Sequence, residues 1–134
     1  MLMNEFKKEG KIATTGNYDS RLYGNIFFKD PYFNDASNPR IFGETYDAKF
    51  GTANKPVFRK YLPPTQDQMD TEFLGLNVPL MRYSNVLLMK AEALNELQRS
   101  GEAIPLINLV RARADMPGMI GITYNAVKAQ IEHE

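Results

Sequence analysis

The stretch "RYSNVLLMKAEALNELQRSGEAIPLINLVRARADMP", residues 82–117, decides the fold of this chain. It is dominated by strong helix formers such as Leu, Ala, Glu, Arg and Met. Ser100 and Gly101 interrupt it near the middle, and Pro105 favours a second helix that begins no earlier than about Gly101. The stretch therefore predicts two helices, at 82–98 and 101–114, joined by a short hinge.

Apolar residues recur at helical spacing in both halves of this stretch. The predicted inward faces carry Leu87, Ala91 and Leu94 in the first helix, and Ala103, Ile107, Val110 and Ala114 in the second. Spacings of three and four residues predict amphipathic helices that pack on each other. The small alanines allow a close approach, so the hairpin resembles one unit of a tetratricopeptide-like repeat. Because one such unit cannot bury its own face, we expect other parts of the protein to cover it.

The composition changes near residue 79. Residues 1–79 hold thirteen of the fifteen aromatic residues, whereas residues 80–134 are rich in helix formers, with Thr123 as a plausible N-cap of a third helix. Within the first part, residues 21–29 and 57–62 predict short strands between turn signals.

These patterns predict a mainly α fold in a single partial domain, residues 1–134. Residues 1–79 form its loop-rich, aromatic-rich half with short strands, and residues 80–134 form its helical half with the tetratricopeptide-like hairpin.

Charge and composition exclude several classes of function. Sixteen basic residues balance sixteen acidic ones, so no net field favours nucleic acid. The lack of cysteine excludes thiolate metal sites and a cysteine nucleophile. No stretch reaches the roughly 20 apolar residues that span a bilayer, and the first residues lack the basic leader and apolar run of a signal peptide.

Catalytic and metal-binding patterns are also missing from the sequence. There is no G-x-S-x-G and no P-loop, and the single histidine, His133, lies next to the C-terminus. Successive residues of a helix diverge by about 100°, so His133 cannot converge with Glu132 and Glu134 on one ion. The acidic segment 67–72 lacks the glycine and the ligand order of an EF-hand. We expect no enzyme, no metal site and no cofactor.

Aromatic residues are the best candidates for contact with a ligand. Four of them lie among Gly, Pro, Asn and Asp, where loops expose side chains: Tyr18, Tyr32, Phe33 and Tyr46. Flat rings can stack on the apolar faces of sugars while neighbouring polar groups bond to hydroxyls. These four are therefore the candidate ligand-binding residues, although loop anchoring is the favoured interpretation at any single position. A second group is expected in the core: Phe27, Phe28, Phe42, Phe50 and Phe58.

Charged residues in two places have both a ligand-binding and a structural interpretation. Asp19 and Arg21 could contact a ligand or form an ion pair that fixes a turn, and the turn is favoured. Arg82, Arg111 and Arg113 could bind a phosphate or a carboxylate. Such residues more often tie adjacent helices together, with Glu92 as a candidate partner.

Four motifs resemble the SusD/RagB family. "RYSNVLLMKAEA", residues 82–93, is similar to the family's R-Y-x-[DE]-[VI]-[LV]-L-[ML]-x-A-E-A run. "INLVRARADMP", residues 107–117, is similar to I-N-x-[VI]-R-x-R-A-G-[ML]-P. Upstream, "DSRL" at 19–22 resembles D-P-R-L, and "RKY" at 59–61 resembles R-K-[YF]. Asp115 replaces the common glycine where a left-handed residue is expected to end the second helix.

The resemblance implies a function at the cell surface. SusD-like proteins are non-catalytic lipoproteins on the outward face of the outer membrane. They capture glycans, or in some members peptides, beside a SusC-like TonB-dependent transporter. Family members are several times longer and carry a lipid-bearing cysteine, so we expect a fragment whose exposed apolar helix surface favours self-association. Two alternatives stay open: a free-standing helical-repeat module for protein–protein interaction, and an enzyme acting on carbohydrate.

Overall fold

A computed structural model describes residues 2–38, 40–62 and 79–134 of the chain. The chain divides into two compact units, Met1–Asn77 and Val78–Glu134. Each has its own buried core, and the expectation of one partial domain across the chain stays a prediction. The acidic segment 67–72 lies outside the described residues.

The first unit is built from short elements joined by loops. In chain order these are α1 (Leu2–Lys7), α2 (Ser20–Asn25), β1 (Ile26–Phe27), a 3-10 turn (Pro31–Asn34), α3 (Tyr46–Phe50) and β2 (Val57–Phe58). The two strands pair antiparallel, with Ile26 opposite Phe58 and Phe27 opposite Val57. The prediction of a loop-rich half with short strands is confirmed.

The predicted strand at 21–29 is wrong over most of its length. Residues Ser20–Asn25 form α2, because the Asp19 side chain accepts a hydrogen bond from the Arg21 N–H at 2.8 Å and caps the helix. The Asn25 side chain then donates to the Arg21 carbonyl at 2.7 Å. This local capping overrides the β propensity of the aromatic residues, and a strand forms only at Ile26–Phe27.

Aromatic rings form the core of the first unit. The Phe27 and Phe33 ring centroids lie 4.6 Å apart, and Phe27 lies 5.2 Å from Tyr46. Phe27 and Phe28 are buried as predicted, but Phe58 is 69% exposed, so its assignment to the core is wrong. Phe58 pairs through its backbone at the end of a two-residue strand, which leaves its ring outside the core.

The second unit is a helical hairpin followed by a third helix. Its helices are α4 (Tyr83–Glu96), α5 (Ser100–Ala112) and α6 (Tyr124–His133). The fold is mainly α, as predicted, while the tetratricopeptide-like character of the hairpin stays a prediction. Thr123 is the N-cap of α6, and its hydroxyl accepts from the Ala126 N–H at 3.3 Å.

The core of the second unit is small and draws on all three helices. Ala91 of α4, Ala103 and Ile107 of α5, and Val127 of α6 are each fully buried in one cluster. Two alanines at the α4–α5 contact leave little side-chain volume between the helices, which permits close packing. Helix α6 therefore covers part of the face that the hairpin alone would expose.

Both helices of the hairpin end on a left-handed residue that is not glycine. Gln98 (φ 61°) follows α4 and Asp115 (φ 58°) follows α5. The next residue donates back into the last turn in each case: Arg99 N–H to the Leu94 carbonyl at 2.9 Å, and Met116 N–H to the Arg111 carbonyl at 3.1 Å. These are Schellman endings, and the left-handed conformation expected at Asp115 is confirmed.

Pro105 lies inside α5 and not in its first turn, because the helix begins at Ser100. Proline has no N–H for the carbonyl four residues earlier, which belongs to Gly101. Both residues are exposed, so water can solvate this carbonyl.

Candidate functional site

Asp19 and Arg21 form the turn that positions the aromatic part of the first unit. The Asp19 carboxylate is buried and accepts from the Arg21 N–H and from Arg21 Nε, the latter at 3.0 and 2.9 Å. Because both carboxylate oxygens of Asp19 accept hydrogen bonds from Arg21, the pair has the structural role that the sequence analysis favoured.

Tyr23, on α2, organises the candidate ligand-binding aromatics. Its hydroxyl accepts a hydrogen bond from the Tyr18 N–H at 3.1 Å, and its ring stacks on Tyr32 with centroids 4.0 Å apart. Burial raises the pKa of Tyr23 to about 12, and the Asp30 carboxylate adds to this shift, while the bond from Tyr18 opposes it. Tyr23 is therefore neutral over the physiological pH range and links Tyr18 to Tyr32.

Tyr18 and Tyr32 are both partly buried, pack against the same aromatic core and each contact Tyr23, and we call these two residues the tyrosine face. The ammonium groups of Lys7 and Lys11 lie 4.9 and 5.1 Å from the Tyr18 ring centroid. Asp30 accepts from the Tyr32 N–H at 3.0 Å, which fixes the start of the 3-10 turn. The face thus combines two oriented phenol rings with two cations.

Phe33 and Tyr46, the other two candidates, are fully buried, so the expectation that loops expose them is wrong. The Tyr46 hydroxyl accepts from the Lys55 N–H at 2.8 Å and donates to the Ala53 carbonyl at 2.9 Å. Tyr46 therefore anchors the loop after α3 from inside. Whether any of the four residues binds ligand stays a prediction.

A second surface of the first unit is an open groove of about 420 Å³, which we call the basic groove. Its lining includes Arg40, Phe42, Arg59, Lys60 and Tyr61. Phe42 (φ 52°) and Tyr61 (φ 68°) have left-handed backbones, which are uncommon for aromatic residues and recur at ligand sites. The sequence did not predict this groove, although the family-like motif "RKY" at 59–61 forms part of its lining.

Arg111 has a structural role, but the prediction that Glu92 is its partner is wrong. Arg111 Nη1 donates to Glu134 Oε1 at 2.7 Å, and Arg111 Nε donates to the Pro117 carbonyl at 2.7 Å. Glu92 is exposed on α4. The partner lies 23 residues along the chain and on another element, beyond the reach of helical spacing.

Neither a metal centre nor a membrane span is found in the part of the chain that the structure describes. Across residues 2–38, 40–62 and 79–134, no three His, Asp or Glu side chains gather as a metal site. None of the helices described there is both long and apolar enough to cross a bilayer.

Comparison with known proteins gives the family. The model of the SusD family matches residues 3–132 of this chain. The chain belongs to the SusD family.

A curated relative agrees with this assignment. The SusD-like protein P38 of Formosa agariphila is 49% identical to this SusD-family chain over a 94-residue alignment, and the match covers 59% of the chain and 19% of that protein. The chain therefore spans about a fifth of the length of the curated relative that it matches. No solved structure matches it.

The structure gives a physical role to the second SusD-like motif. Asn108 Oδ1 accepts from the Met119 N–H at 2.9 Å, and Arg111 holds the Pro117 carbonyl. Met116 is buried next to the left-handed Asp115. The motif therefore ends α5 and folds the following segment back onto it.

Proposed function

We propose that this SusD-family chain is part of a non-catalytic protein that captures glycans, or another nutrient, at the outer-membrane surface. The observation that carries the proposal is the tyrosine face, in a chain whose family membership extends over residues 3–132. The chain spans about a fifth of its curated relative, so the proposal concerns the longer protein to which such a segment contributes.

The tyrosine face suits a sugar because its rings are held before a ligand arrives. Tyr32 is stacked on Tyr23 and capped by Asp30, and Tyr18 is bonded to Tyr23 through its backbone. Rigid rings lose little conformational entropy on binding, which favours affinity for a small ligand. The phenol hydroxyls and the ammonium groups of Lys7 and Lys11 can bond to sugar hydroxyls.

All four predicted residues keep a part in the proposal, with different roles. Tyr18 and Tyr32 stack on the sugar. Phe33 supports the Tyr32 ring from the core at a centroid distance of 5.2 Å, and Tyr46 belongs to the same core, where its ring lies 5.2 Å from Phe27. Stacking on a sugar requires neither a nucleophile nor a base, in keeping with binding without turnover.

The proposed partners follow from the family. The longer protein presents the glycan to a SusC-like TonB-dependent transporter and faces outward from the outer membrane. We propose no nucleic-acid partner, since the basic and acidic residues balance.

A second candidate function, a helical-repeat interaction module, has one observation in its favour. Helix α4 carries an outward apolar stripe opposite its buried face, formed by Tyr83, Val86, Met89 and, just after the helix, Leu97. These residues are between 45% and 73% exposed. An apolar stripe of this kind fits a protein surface better than it fits a sugar.

A glycan array probed with the intact chain tests the proposal, followed by mass spectrometry of each bound oligosaccharide after long incubation. We expect retention of a defined set of glycans, recovered with unchanged mass. Shortened products that vanish after a carboxylate substitution in the chain would establish an enzyme instead. Absence of glycan retention, with binding of a peptide through the α4 stripe, would favour the interaction module.

A further inference from the structure

The basic groove concentrates positive charge on a chain with no net charge. Its lining includes Arg40, Arg59 and Lys60, and none of the lining residues that the structure describes is acidic. Among the described residues, no carboxylate lies within ion-pair distance of these three cations. The nearby acid Glu44 pairs instead with Lys49, at 3.7 Å.

The two arginines of the groove are held in place by the backbone around them. Arg59 Nη1 donates to the Tyr23 carbonyl at 2.8 Å, and the Arg59 N–H donates to the Asn25 carbonyl at 2.8 Å. Arg40 Nη1 donates to the Gly43 carbonyl at 3.1 Å. A guanidinium has five N–H donors, so each arginine retains donors beyond these bonds for a planar anion.

Aromatic side chains complete the groove. Tyr61 is 45% exposed, and the Lys60 ammonium lies 5.2 Å from its ring centroid. Phe42 contributes a partly buried ring. The volume of about 420 Å³ falls within the range of small-ligand sites, about 300–1,000 Å³. Three cations in so small a space suit one or two anionic groups on a compact ligand better than a long polyanion backbone.

We propose that the basic groove binds an acidic saccharide, whose carboxylate or sulfate ester meets Arg40, Arg59 and Lys60 while its ring contacts Tyr61. The choice of a saccharide rests on the proposed function, and the requirement for negative charge rests on the groove itself. The groove is separate from the tyrosine face, since its lining shares no residue with that face.

Calorimetry on the full chain with a charged ligand and its neutral counterpart tests this. The probes are a galacturonate oligosaccharide and the same oligosaccharide as its methyl ester, with galactose 6-sulfate and galactose as the sulfate pair. The test variant combines Arg40→Gln with Lys60→Gln, which leaves the structural bonds of Arg59 intact. The matched control combines Lys29→Gln with Lys55→Gln, which removes the same charge from exposed positions outside the groove.

We expect one charged probe, or both, to bind while the neutral counterpart binds at least about tenfold more weakly, and added salt to weaken the charged complex. The pair that shows this difference identifies the anion as a carboxylate or a sulfate. The groove variant should lose at least about tenfold in affinity, and the control should lose less than about twofold. Melting temperatures are measured alongside, and Lys60→Gln alone replaces the double variant if that does not fold.

Equal affinity for charged and neutral probes would overturn the inference, as would equal losses in the groove and control variants. A single-stranded DNA oligonucleotide that binds as tightly as the charged sugar would show a general polyanion site and also overturn it. Binding of neutral glycans alone would contradict the proposal for the basic groove but not the proposal for the tyrosine face. Absence of any saccharide binding would contradict both proposals.

Discussion

Arg111 and Glu134 form a buried ion pair, in which Arg111 Nη1 donates to Glu134 Oε1 at 2.7 Å and both side chains are at most 3% exposed. Gln130 Nε2 donates to the same carboxylate oxygen at 2.8 Å. The pair joins the last turn of α5 to the residue that caps α6. It therefore ties α6 to the hairpin at the end opposite Thr123.

Glu134→Ala should strongly destabilise the second unit, because it leaves the Arg111 charge buried without its carboxylate. Removal of one partner of a buried ion pair costs about 3–5 kcal/mol. Urea unfolding followed by helical circular dichroism measures the loss. Glu132→Ala, an exposed glutamate on the same helix, is the matched control and should change stability by less than about 0.5 kcal/mol. Similar losses in both variants would contradict a stabilising role for the pair.

Asn95 should be the second sensitive position, since its side chain joins all three helices of the unit. Its Nδ2 donates to the Tyr124 carbonyl at 3.0 Å, and its Oδ1 accepts from the Ser100 hydroxyl at 2.6 Å. Asn95→Ala leaves buried polar groups unpaired, at about 1–3 kcal/mol. Asn125→Ala, at an exposed site on α6, serves as the control in the same urea titration. A variant as stable as the control would show that water replaces both bonds.

Alkaline pH should weaken the first unit through Tyr23. Its folded pKa of about 12 lies above the ordinary value of 10.0, so the folded state favours the neutral phenol. The resulting stability is complete below pH 10 and is lost as the pH rises toward about 12. Tyr23→Phe should have a lower melting temperature at neutral pH, because the Tyr18 N–H loses its acceptor, but a smaller further fall at alkaline pH. Parallel melting curves against pH for the two proteins would contradict the shift.

The helical half could be predicted from sequence because its signals are local. Helical spacing predicted α4 and α5, and Thr123 predicted the start of α6. Asp115 stands where the family commonly has glycine, and this position predicted the left-handed residue that ends α5. The Asp19–Arg21 turn could also be predicted from the sequence, because the two residues lie two positions apart.

The remaining features depend on contacts between distant residues. Phe33 and Tyr46 look exposed in sequence because they lie in polar loops, yet the core of the first unit forms around them. Arg111 bonds to Glu134 and not to a residue on the facing helix. The basic groove joins residues 40–42 to 59–62, and nothing in the spacing of these segments indicates that they meet.

Self-association should depend on the outward stripe of α4. Val86→Glu with Leu97→Lys places two charges on the stripe while the net charge of the chain stays unchanged. Sedimentation equilibrium should show concentration-dependent association of the unmodified chain and a shift toward monomer in this variant. Arg113→Gln with Glu132→Gln, both exposed and outside α4, is the control and should associate like the unmodified chain. A monomer at every concentration would refute the proposal.

Calorimetry at the tyrosine face tests the central claim, glycan binding, most directly. The intact chain is titrated with a neutral oligosaccharide that the array retains, beside Tyr18→Ala, Tyr32→Ala and, as control, Tyr83→Ala, an exposed tyrosine on α4. Loss of a stacking ring should cost about 1 kcal/mol or more of binding free energy, a rise in Kd of about fivefold. Tyr32→Ala should also lower the melting temperature, because the Tyr32 ring packs on Tyr23 and Phe33, so binding is measured below the unfolding range of each variant. The control should bind like the unmodified chain. Unchanged affinity in both Tyr18→Ala and Tyr32→Ala would contradict the account and place the glycan elsewhere.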